Sequence, residues 1–584
     1  MVFFLYEVLQ INRLYSLEKV KNVCYNKIDI KMKTERMIMQ YMNAVKIIHT
    51  EGDVQGVEKL LQKKPLQIGL NEPDVCIIKG KASIILDFGK EVSGGARILT
   101  FGANRNALDV RLRFGESVGE TCAELKENPD DFGTTNDHSN RDFCVALQNY
   151  SDMTFGQTGF RFLRIDSLSD NCEFKIKTIV AAVDTDMRPE IGSFTCDDAL
   201  VNEIWNTAAY TLRLCIQNDY IWDGVKRDRL VWIGDLYPEL RAAYCLFGEI
   251  PETLNCLDFS MEQSPLPMYI NNMPTYSLWW IICLHECYKT SGEKEVFKKY
   301  LAYARGIVEQ IILPATHDDG TVSYSFNYID WPSNHLPDET DTENKNAERL
   351  AGVSYLTKVA LLAAKELFVT YGEDTSLCEE LLAKIAKKQY DIHIYKQIAA
   401  LGVWANETNE SIKANLLANG GKGLSTFQSY PILTAVAQLG EYDSALSMMK
   451  EYYGGMLSVG ATTFWEDFDL EWLEGSGRLD EMPKEGVKDI HGDYGKFCYS
   501  SFRHSFCHGW SAGVIPYLVE TVAGIQPIGV GMKKIAIKPN LSGLKHVKVD
   551  YPTKFGVVTV EHTLQKDGTV KTDVNAPKEI EIVQ

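Results

Sequence analysis

The segment DGVKRDRLVWIGD, residues 223–235, combines acidic, basic and aromatic side chains in a short stretch. Its three carboxylates are Asp223, Asp228 and Asp235, and Arg227 precedes the middle one. Carboxyl groups that converge in one pocket can act as general acid and general base, because proton transfer needs groups within hydrogen-bond reach of the reacting atoms. The segment could therefore form one wall of a catalytic pocket, or it could be a surface loop with ordinary ion pairs.

Two features of this segment favour the pocket over the surface loop. Trp222 and Trp232 interleave with the charges, and binding sites for small neutral molecules combine flat aromatic faces with a few polar groups. Gly224 and Gly234 permit a tight backbone that would let the carboxylates converge. The simpler interpretation stays open at this point, since Asp235 could merely be the N-cap of a following helix.

Length and charge limit the classes of function. The chain has 584 residues, too many for one hydrophobic core, so we expect about two to four domains. The formal net charge is −19, and Lys and Arg form no cluster. This charge argues against a nucleic acid or an anionic membrane as partner. A neutral substrate is compatible with such a surface.

The sequence also predicts a location. The longest apolar stretches, such as residues 277–284, are far too short for a transmembrane helix. Residues 1–20 lack a basic leading region, and Glu7 interrupts their apolar run, so they do not resemble a signal peptide. The 14 cysteines have no regular spacing, which is typical of reduced, buried thiols. We therefore expect a cytoplasmic protein, with a periplasmic one as the alternative if the N-terminus is misassigned.

Three residue patterns follow one another along the chain and predict a multidomain protein. Residues 70–190 alternate apolar and polar positions between Gly and Asn breaks, which predicts an N-terminal antiparallel β-sandwich. Residues 191–525 contain about ten to twelve segments of helical period, and a closed (α/α)6 toroid would bury all of these hairpins. Residues 526–584 alternate again and predict a small C-terminal β-sheet domain. Residues 1–65 are rich in Lys and Glu and weakly periodic, and we expect helix there.

Two stretches could suggest a metal ion. CLHEC, residues 283–287, has no second ligand pair at finger spacing and lies in an apolar run of helical period, which favours a core helix. EDFDLEWLE, residues 466–474, lacks the spacing and the Gly of a calcium-binding EF-hand loop. We therefore expect no metal site and no cofactor.

Residues 223–235 resemble the signature of the family-78 glycoside hydrolases, the α-L-rhamnosidases, in which an Asp is followed by an Arg-acid pair and then by Trp-x-Gly-Asp. Other segments resemble further elements of that family in matching order. They are DFGKEVSGGARI (87–98), RFGES (113–117), GFRFLRI (159–165), GSFTCDDALVNEIW (192–205), NYIDWP (327–332), GATTFWEDFD (460–469) and FCHGWSAG (506–513). The likeness extends from 85 to 550, about 80% of the chain.

This resemblance implies an (α/α)6 toroid that hydrolyses terminal α-L-rhamnosyl bonds with inversion, so the expected partner is a rhamnose-containing carbohydrate. Asp228 matches the general acid, although many members have Glu there, and Glu466 matches the general base that activates water. The remaining matched positions hold the sugar in the −1 subsite or line its pocket. They are Asp223, Arg227, Trp232, Asp235, Asp330, Trp331 and His508, the last of which lies near the base.

The chemistry of glycoside hydrolysis is consistent with these assignments. It needs two carboxyl groups flanking the scissile bond, and an inverting enzyme separates them by roughly 6.5–9.5 Å to leave room for water. In a toroid such groups can be far apart in sequence, because the loops of all hairpins collect on one rim. On chemistry alone either Glu466 or Asp467 could be the base, and only the resemblance favours Glu466.

Two alternatives remain open at this point. One is a glycan-binding protein that keeps the pocket without turnover, since Asp at position 228 is one methylene shorter than Glu. The other is an exo-glycosidase of different sugar specificity on the same toroid. A lyase is disfavoured, because a uronate substrate would require a basic cleft. The oligomeric state does not follow from the sequence.

Overall fold

The computed structural model describes residues 39–124, 141–334, 340–495 and 501–583. Within these residues an antiparallel β domain, a helical domain and a small C-terminal β domain follow one another. This order confirms the fold class that the alternating and helical patterns predict. Among the described helices, none has the length and apolar character needed to cross a membrane.

The N-terminal domain contains seven strands. They are β1 (Gln40–Asn43), β2 (Lys46–Gln55), β3 (Cys76–Ala103), β4 (Ala107–Gly115), β5 (Asp142–Gln148), β6 (Asp152–Ser167) and β7 (Glu173–Val183). They join one antiparallel sheet in the order β1-β7-β3-β6-β4-β5, with β2 beside β3. The sheet is continuous because the long strand β3 pairs with β2, β6 and β7 along its length, across register shifts such as that between Asp87 and Val92.

In the middle of this sheet, β3 and β6 are buried on both faces. Successive residues of a strand point to opposite faces. Ile84 and Leu86 of β3 therefore pack into the core of the β domain, whereas Ile85 and, from β6, Phe162 pack into the core of the helical domain. These contacts hold the β domain against the helices.

The expectation of helix in residues 1–65 is wrong for the part that the structure describes. Residues 40–55 form β1 and β2, and a short 3₁₀-helix follows at Val57–Leu61. Ile47 and Val54 pack against the β-domain core while β2 pairs with β3, so tertiary pairing overrides a weak local helix preference. Residues 1–38, for which helix was also expected, lie outside the described residues.

The helical domain contains twelve main helical stretches within the described residues. Ten are α-helices of eight or more residues: α1 (Ala199–Cys215), α2 (Ile233–Phe247), α3 (Pro251–Gln263), α4 (Pro274–Ser291), α5 (Thr342–Tyr371), α6 (Ser376–Ile385), α7 (Lys396–Trp404), α8 (Glu410–Leu417), α9 (Ser429–Gln438) and α10 (Tyr442–Ser458). The other two, residues 301–315 and 509–522, combine α-helical turns with π- or 3₁₀-helical turns.

Six of these stretches form a closed ring. Each contacts the next in the order α2, α4, α5, α7, α9 and residues 509–522, and the last returns to α2. The other six alternate with them in sequence and pack against the ring. The inner helices are largely buried, and in α4 both Trp279 and Trp280 are buried. This ring confirms the predicted (α/α)6 toroid.

The alternation of outer and inner helices determines where a site can lie. All six inner stretches run in the same direction, so the segments that precede them meet at one rim of the toroid. The N-terminal end of a helix carries a partial positive charge, which stabilises nearby carboxylates. The acidic segments 223–235 and 466–467 both lie at this rim.

The C-terminal domain contains two small sheets. The helical domain contributes β8 (Ser193–Cys196) and a short hairpin of β9 (Ile216–Gln217) and β10 (Tyr220–Ile221). The strands of the C-terminal domain are β11 (Ile525–Pro527), β12 (Lys534–Ile537), β13 (His546–Thr553), β14 (Gly556–Leu564), β15 (Val570–Asn575) and β16 (Glu581–Val583). One sheet has the order β11-β12-β16. The other has the order β15-β14-β13-β8, in which β8 (Ser193–Cys196) comes from the start of the helical domain.

Candidate active site

The segment 223–235 leads into the first inner helix, α2, and is folded tightly. The Leu230 N–H donates to Asp223 Oδ1 at 2.8 Å, and the Asp223 N–H donates to the Leu230 carbonyl at 3.1 Å. Asp228 and Arg229 have φ angles of 55° and 53°, in the left-handed region that residues other than glycine rarely adopt. Backbone strain of this kind concentrates at functional sites.

Arg227 joins the two carboxylates that the sequence resemblance assigns as acid and base. Its Nη1 lies 3.1 Å from Asp228 Oδ2, and its Nη2 contacts Glu466 Oε2. Its Nε donates to the Arg503 carbonyl at 2.6 Å, so the buried guanidinium is held on three sides. Because a guanidinium is planar and rigid, these contacts fix the two carboxylates relative to each other.

Glu466 is held by its own backbone and by three neighbouring segments. Its N–H donates to the Ser505 carbonyl at 2.9 Å, and the Ser505 N–H donates to its Oε2 at 3.3 Å. Its carbonyl accepts hydrogen bonds from the Thr426 hydroxyl at 2.6 Å and from the Trp510 indole at 3.0 Å. The Glu466 side chain therefore faces Arg227 from a well-determined position.

The neighbouring acid, Asp467, has a different environment. Its N–H donates to His504 Nε2 at 3.0 Å, and its Oδ1 accepts the Phe468 N–H at 2.9 Å. Burial raises the pKa of Asp467 well above its usual range, and the charges of Asp330 and Glu466 raise it further. Asp467 therefore differs from Glu466 in its partners, since Asp467 contacts His504 and Glu466 contacts Arg227.

Asp235 is not the N-cap of α2. Trp232 occupies the N-cap position, and Asp235 lies in the first turn with a buried side chain. Asp235 Oδ2 lies 3.0 Å from His508 Nε2, and its Oδ1 accepts the Tyr276 hydroxyl at 3.1 Å. Burial raises the pKa of Asp235, although His508 and Tyr276 both oppose the rise. The surface-loop interpretation is therefore wrong for this residue.

Other buried acids surround Asp235 and His508. Burial raises the pKa of Asp223 well above its usual range, and the Asp228 and Asp235 charges raise it further. Burial and the Asp235 charge do the same to Glu239, one turn along α2. The like charges and low exposure make this a place where a carboxyl group can keep its proton near neutral pH.

A chain of aromatic rings runs along the rim. Trp232 meets Tyr276 edge-on at 5.9 Å between ring centroids, Tyr276 meets Tyr328 at 6.2 Å, and Tyr328 meets Trp331 at 5.3 Å. Both tryptophans are half-buried. Rings in such edge-to-face contact hold one another in place and leave flat apolar faces available to a ligand.

Asp330 adjoins this chain of aromatic rings. Its Oδ1 accepts the Trp331 N–H at 2.7 Å, and its Oδ2 accepts the Ser425 hydroxyl. Burial raises the pKa of Asp330 to about 7, although both hydrogen bonds lower it. The carboxyl can therefore donate or accept a hydrogen bond near neutral pH.

The structure places all of the predicted site residues at this one rim. They are Asp223, Arg227, Asp228, Trp232, Asp235, Asp330, Trp331, Glu466 and His508. Sequence reasoning missed several residues that support them, namely Tyr276, Tyr328, Ser425, Arg503 and His504. Tyr276 lies at the start of an apolar helix and carries no sequence signal of its role. His504 and Arg503 could be suspected only from their proximity to His508.

Two parts of the chain match known protein families. Residues 189–418 match the bacterial alpha-L-rhamnosidase 6 hairpin glycosidase domain, and residues 524–583 match the bacterial alpha-L-rhamnosidase C-terminal domain. The chain carries two bacterial alpha-L-rhamnosidase domains. The rhamnosidase-domain match includes the 223–235 segment, whereas Glu466 and His508 lie between the two matched regions.

Solved rhamnosidase structures share this fold. The GH78 family rhamnosidase of Bacillus sp. GL1 superposes with a TM-score of 0.69 at 20% identity, over 90% of this chain and 55% of its own. A rhamnosidase from Klebsiella oxytoca with rhamnose bound gives 0.64 at 19% identity, over 82% and 95%. The Streptomyces avermitilis alpha-L-rhamnosidase complexed with L-rhamnose gives 0.62 at 16% identity, over 86% and 48%.

At these identities the structural likeness shows the fold. The chain spans about half the length of the Bacillus and Streptomyces rhamnosidases, at 55% and 48%. No curated protein matches the chain in sequence.

A glycine in the rhamnosidase signature tests how closely this rim is packed. A Cβ at Gly234 would lie 2.5 Å from the Tyr276 ring, which holds Asp235. Gly234→Ala is therefore expected to lower both Tm and kcat, although alanine normally stabilises a helix by about 1 kcal/mol relative to glycine. Gly454→Ala in α10 is the matched control, because its Cβ would come no closer than 3.3 Å to Leu200. Thermal melts in which both variants gain stability would contradict the prediction.

Proposed function

We propose that this chain is an inverting exo-glycoside hydrolase that releases terminal α-L-rhamnose from glycosides or polysaccharide-derived oligosaccharides. The observation that carries the proposal is the Arg227 guanidinium, which contacts Asp228 and Glu466 at once within the rhamnosidase-family toroid. One rigid group thus holds together two carboxylates from segments far apart in sequence, at the rim where all inner helices begin.

In the proposed reaction the two carboxyl groups have opposite tasks. Asp228 gives a proton to the departing glycosidic oxygen, and Glu466 removes a proton from the water that attacks the anomeric carbon from the other face. An inverting pair lies roughly 6.5–9.5 Å apart, so that the water fits between base and sugar. The intervening guanidinium supports this arrangement, because it keeps the carboxylates near each other and yet separate.

The surrounding side chains suit a terminal sugar. The half-buried rings of Trp232 and Trp331 offer apolar faces for the C–H groups of the ring. Asp223, Asp235 and Asp330 are buried polar groups beside them and can hydrogen-bond to hydroxyl groups.

The sugar assignment rests on the family. The two structural relatives from Klebsiella oxytoca and Streptomyces avermitilis are described with rhamnose or L-rhamnose bound. The formal net charge of −19 is compatible with a neutral deoxysugar and unfavourable for an acidic one. A rhamnose-containing carbohydrate is therefore the substrate class that we propose.

Hydrolysis of nitrophenyl α-L-rhamnoside tests this function directly. The purified protein is expected to release β-L-rhamnose first, because inversion at an α-linked anomeric carbon gives the β product. Proton NMR in the first minutes, before mutarotation, measures which anomer appears. Nitrophenyl glycosides of other neutral sugars are the matched substrates and should react far more slowly.

Three other outcomes would contradict parts of the proposal. If α-L-rhamnose appeared first, the mechanism would be retaining. Faster turnover of another glycoside would mean a different sugar specificity. Binding of L-rhamnose in calorimetry without any product would indicate a glycan-binding protein, the alternative that Asp228 leaves open.

A further inference from the structure

A second group of buried charges lies directly behind the acid-bearing loop. Lys226, next to Arg227 in the chain, is 0% exposed. Its Nζ lies 3.2 Å from Glu116 Oε2 and 3.1 Å from Glu120 Oε1, both contributed by the β domain. It also lies 3.2 Å from His491 Nε2. We name these four residues, Lys226, Glu116, Glu120 and His491, the lysine cluster.

The ammonium group takes the place that a metal ion would have in this cluster. The potential ligand atoms of Glu116, Glu120 and His491 lie within 4.8 Å of one another. Since Lys226 Nζ lies 3.1–3.2 Å from all three side chains, the protein supplies its own cation there. The lysine cluster is therefore a closed internal ion site.

Stability alone does not explain such a cluster. Removing an ammonium and carboxylates from water costs about as much as their attraction returns, so buried ion pairs rarely add much stability. Burial would raise the pKa of Glu120, but the Arg141 and Lys226 cations hold it well below its usual range. Glu120 is thus a negative partner for Lys226. A cluster of this kind can instead specify one geometry.

The geometry that the cluster specifies includes both active-site loops. Lys226 Nζ donates to the Phe502 carbonyl and, at 2.9 Å, to the His504 carbonyl. Glu116 Oε2, which faces Lys226, also accepts the Phe506 N–H at 2.7 Å. Residues 502–506 are therefore connected to the loop before α2 by Lys226 and by its ion-pair partner Glu116.

The β domain clamps the acid-bearing loop by its backbone as well. The Gly159 N–H donates to the Val225 carbonyl at 2.8 Å, and the Thr158 hydroxyl donates to the Lys226 carbonyl at 3.0 Å. Arg227 then donates to the Arg503 carbonyl at 2.6 Å. Val225 and Lys226 thus contact the β domain, Lys226 also belongs to the lysine cluster, and Arg227 contacts the loop that contains Arg503.

We infer that Lys226 is a positioning residue and that the β domain, by holding its ammonium with Glu116 and Glu120, sets the spacing between the loops that carry acid and base. The identity of acid and base rests on the proposed function, but the spacing of the loops does not. The β domain is in this sense a part of the active site, although it supplies no reacting group.

Lys226→Met removes the ammonium and keeps the length of the side chain. We expect kcat on nitrophenyl α-L-rhamnoside to fall by roughly 10²-fold, the effect of displacing catalytic groups by about 1 Å, with a much smaller change in KM. Arg188→Met is the matched control. Arg188 is a largely buried cation, with 9% of its side chain exposed. It binds Asp186 and Glu252 between the β domain and α3, but it contacts neither active-site loop.

A double variant separates positioning from mere stability. Glu116→Gln in the Lys226→Met background removes a buried carboxylate that has lost its partner and keeps an oxygen for the Phe506 N–H. We expect Tm to recover in part while kcat stays low, since nothing replaces the donors to Phe502 and His504. If kcat recovers together with Tm, Lys226 is structural only and the inference is wrong.

Hydrogen exchange gives a readout that does not need activity. Amides in residues 223–229 and 502–508 are expected to exchange faster in Lys226→Met than in Arg188→Met at equal distance below their Tm values. The inference would be overturned if Lys226→Met and Arg188→Met exchanged these amides at equal rates and had kcat values within about twofold of each other. A wild-type protein with no hydrolytic activity would instead refute the proposed function, and the exchange comparison would still decide whether Lys226 positions the two loops.

Discussion

Asp228→Ala should lose far more activity on a rhamnosyl-sugar than on nitrophenyl α-L-rhamnoside. A general acid matters only while the departing oxygen needs a proton. A nitrophenolate of low pKa departs almost unaided, whereas a sugar hydroxyl does not. The loss on the rhamnosyl-sugar is expected to reach about 10²–10⁴-fold in kcat/KM, the usual contribution of acid–base catalysis. Parallel kinetics on the two substrates measure the difference.

The neighbouring acids are the matched controls for this experiment. Asp223→Asn and Asp235→Asn should lower kcat/KM to the same extent on both substrates, because both substrates share the rhamnose ring that these residues are proposed to contact. In Asp228→Ala the fall of kcat/KM at high pH should also disappear, since this basic limb of the pH profile reports the loss of the proton from the general acid. Equal losses on both substrates with an intact basic limb would assign the acid elsewhere. Asp235, whose pKa is raised by burial, is the next candidate.

Glu466→Gln is expected to lower kcat by about 10²–10⁴-fold on both substrates. Water must be activated whichever group departs, so the leaving group should not matter. The glutamine keeps the size of the side chain and an oxygen for the Ser505 N–H, so binding should change little. Rates under saturating substrate separate the loss in kcat from any change in KM.

Asp467→Asn is the control that separates the two adjacent acids. Asp467 is buried beside Asp330, and His504 and Phe468 hold it. We expect a smaller loss than in Glu466→Gln. A larger loss in Asp467→Asn would reverse the assignment and make Asp467 the base, the choice that chemistry alone left open.

The fold was predictable because its signals are local. Alternation over residues 70–190 and helical period over 191–525 each depend on neighbouring residues, and the toroid follows once the hairpins must bury their faces. Strand β2 was not predictable in this way. Its surface is largely polar, and it becomes a strand because β3 provides an edge for it.

The candidate site was predictable in part. The family resemblance pointed to Asp228 and Arg227 in one segment and to Glu466 in another. In the structure the Arg227 guanidinium contacts both carboxylates. Contacts between rim segments, such as Asp235 with His508, depend on how the ring closes and leave no trace in local spacing. Lys226 shows the limit clearly, because a charged residue in a charged loop is normally expected to be exposed.

The pairing of β8 with β13 has a consequence for biosynthesis. Strand β8 forms at residues 193–196, yet its partner β13 begins only at His546, and the last inner stretch of the ring ends at residue 522. A ribosome must therefore release most of the chain before the ring can close. Contacts of such long sequence separation slow folding and leave apolar surface exposed meanwhile. Until then the ring is an open arc whose inner helices face water, which makes the nascent chain prone to aggregation.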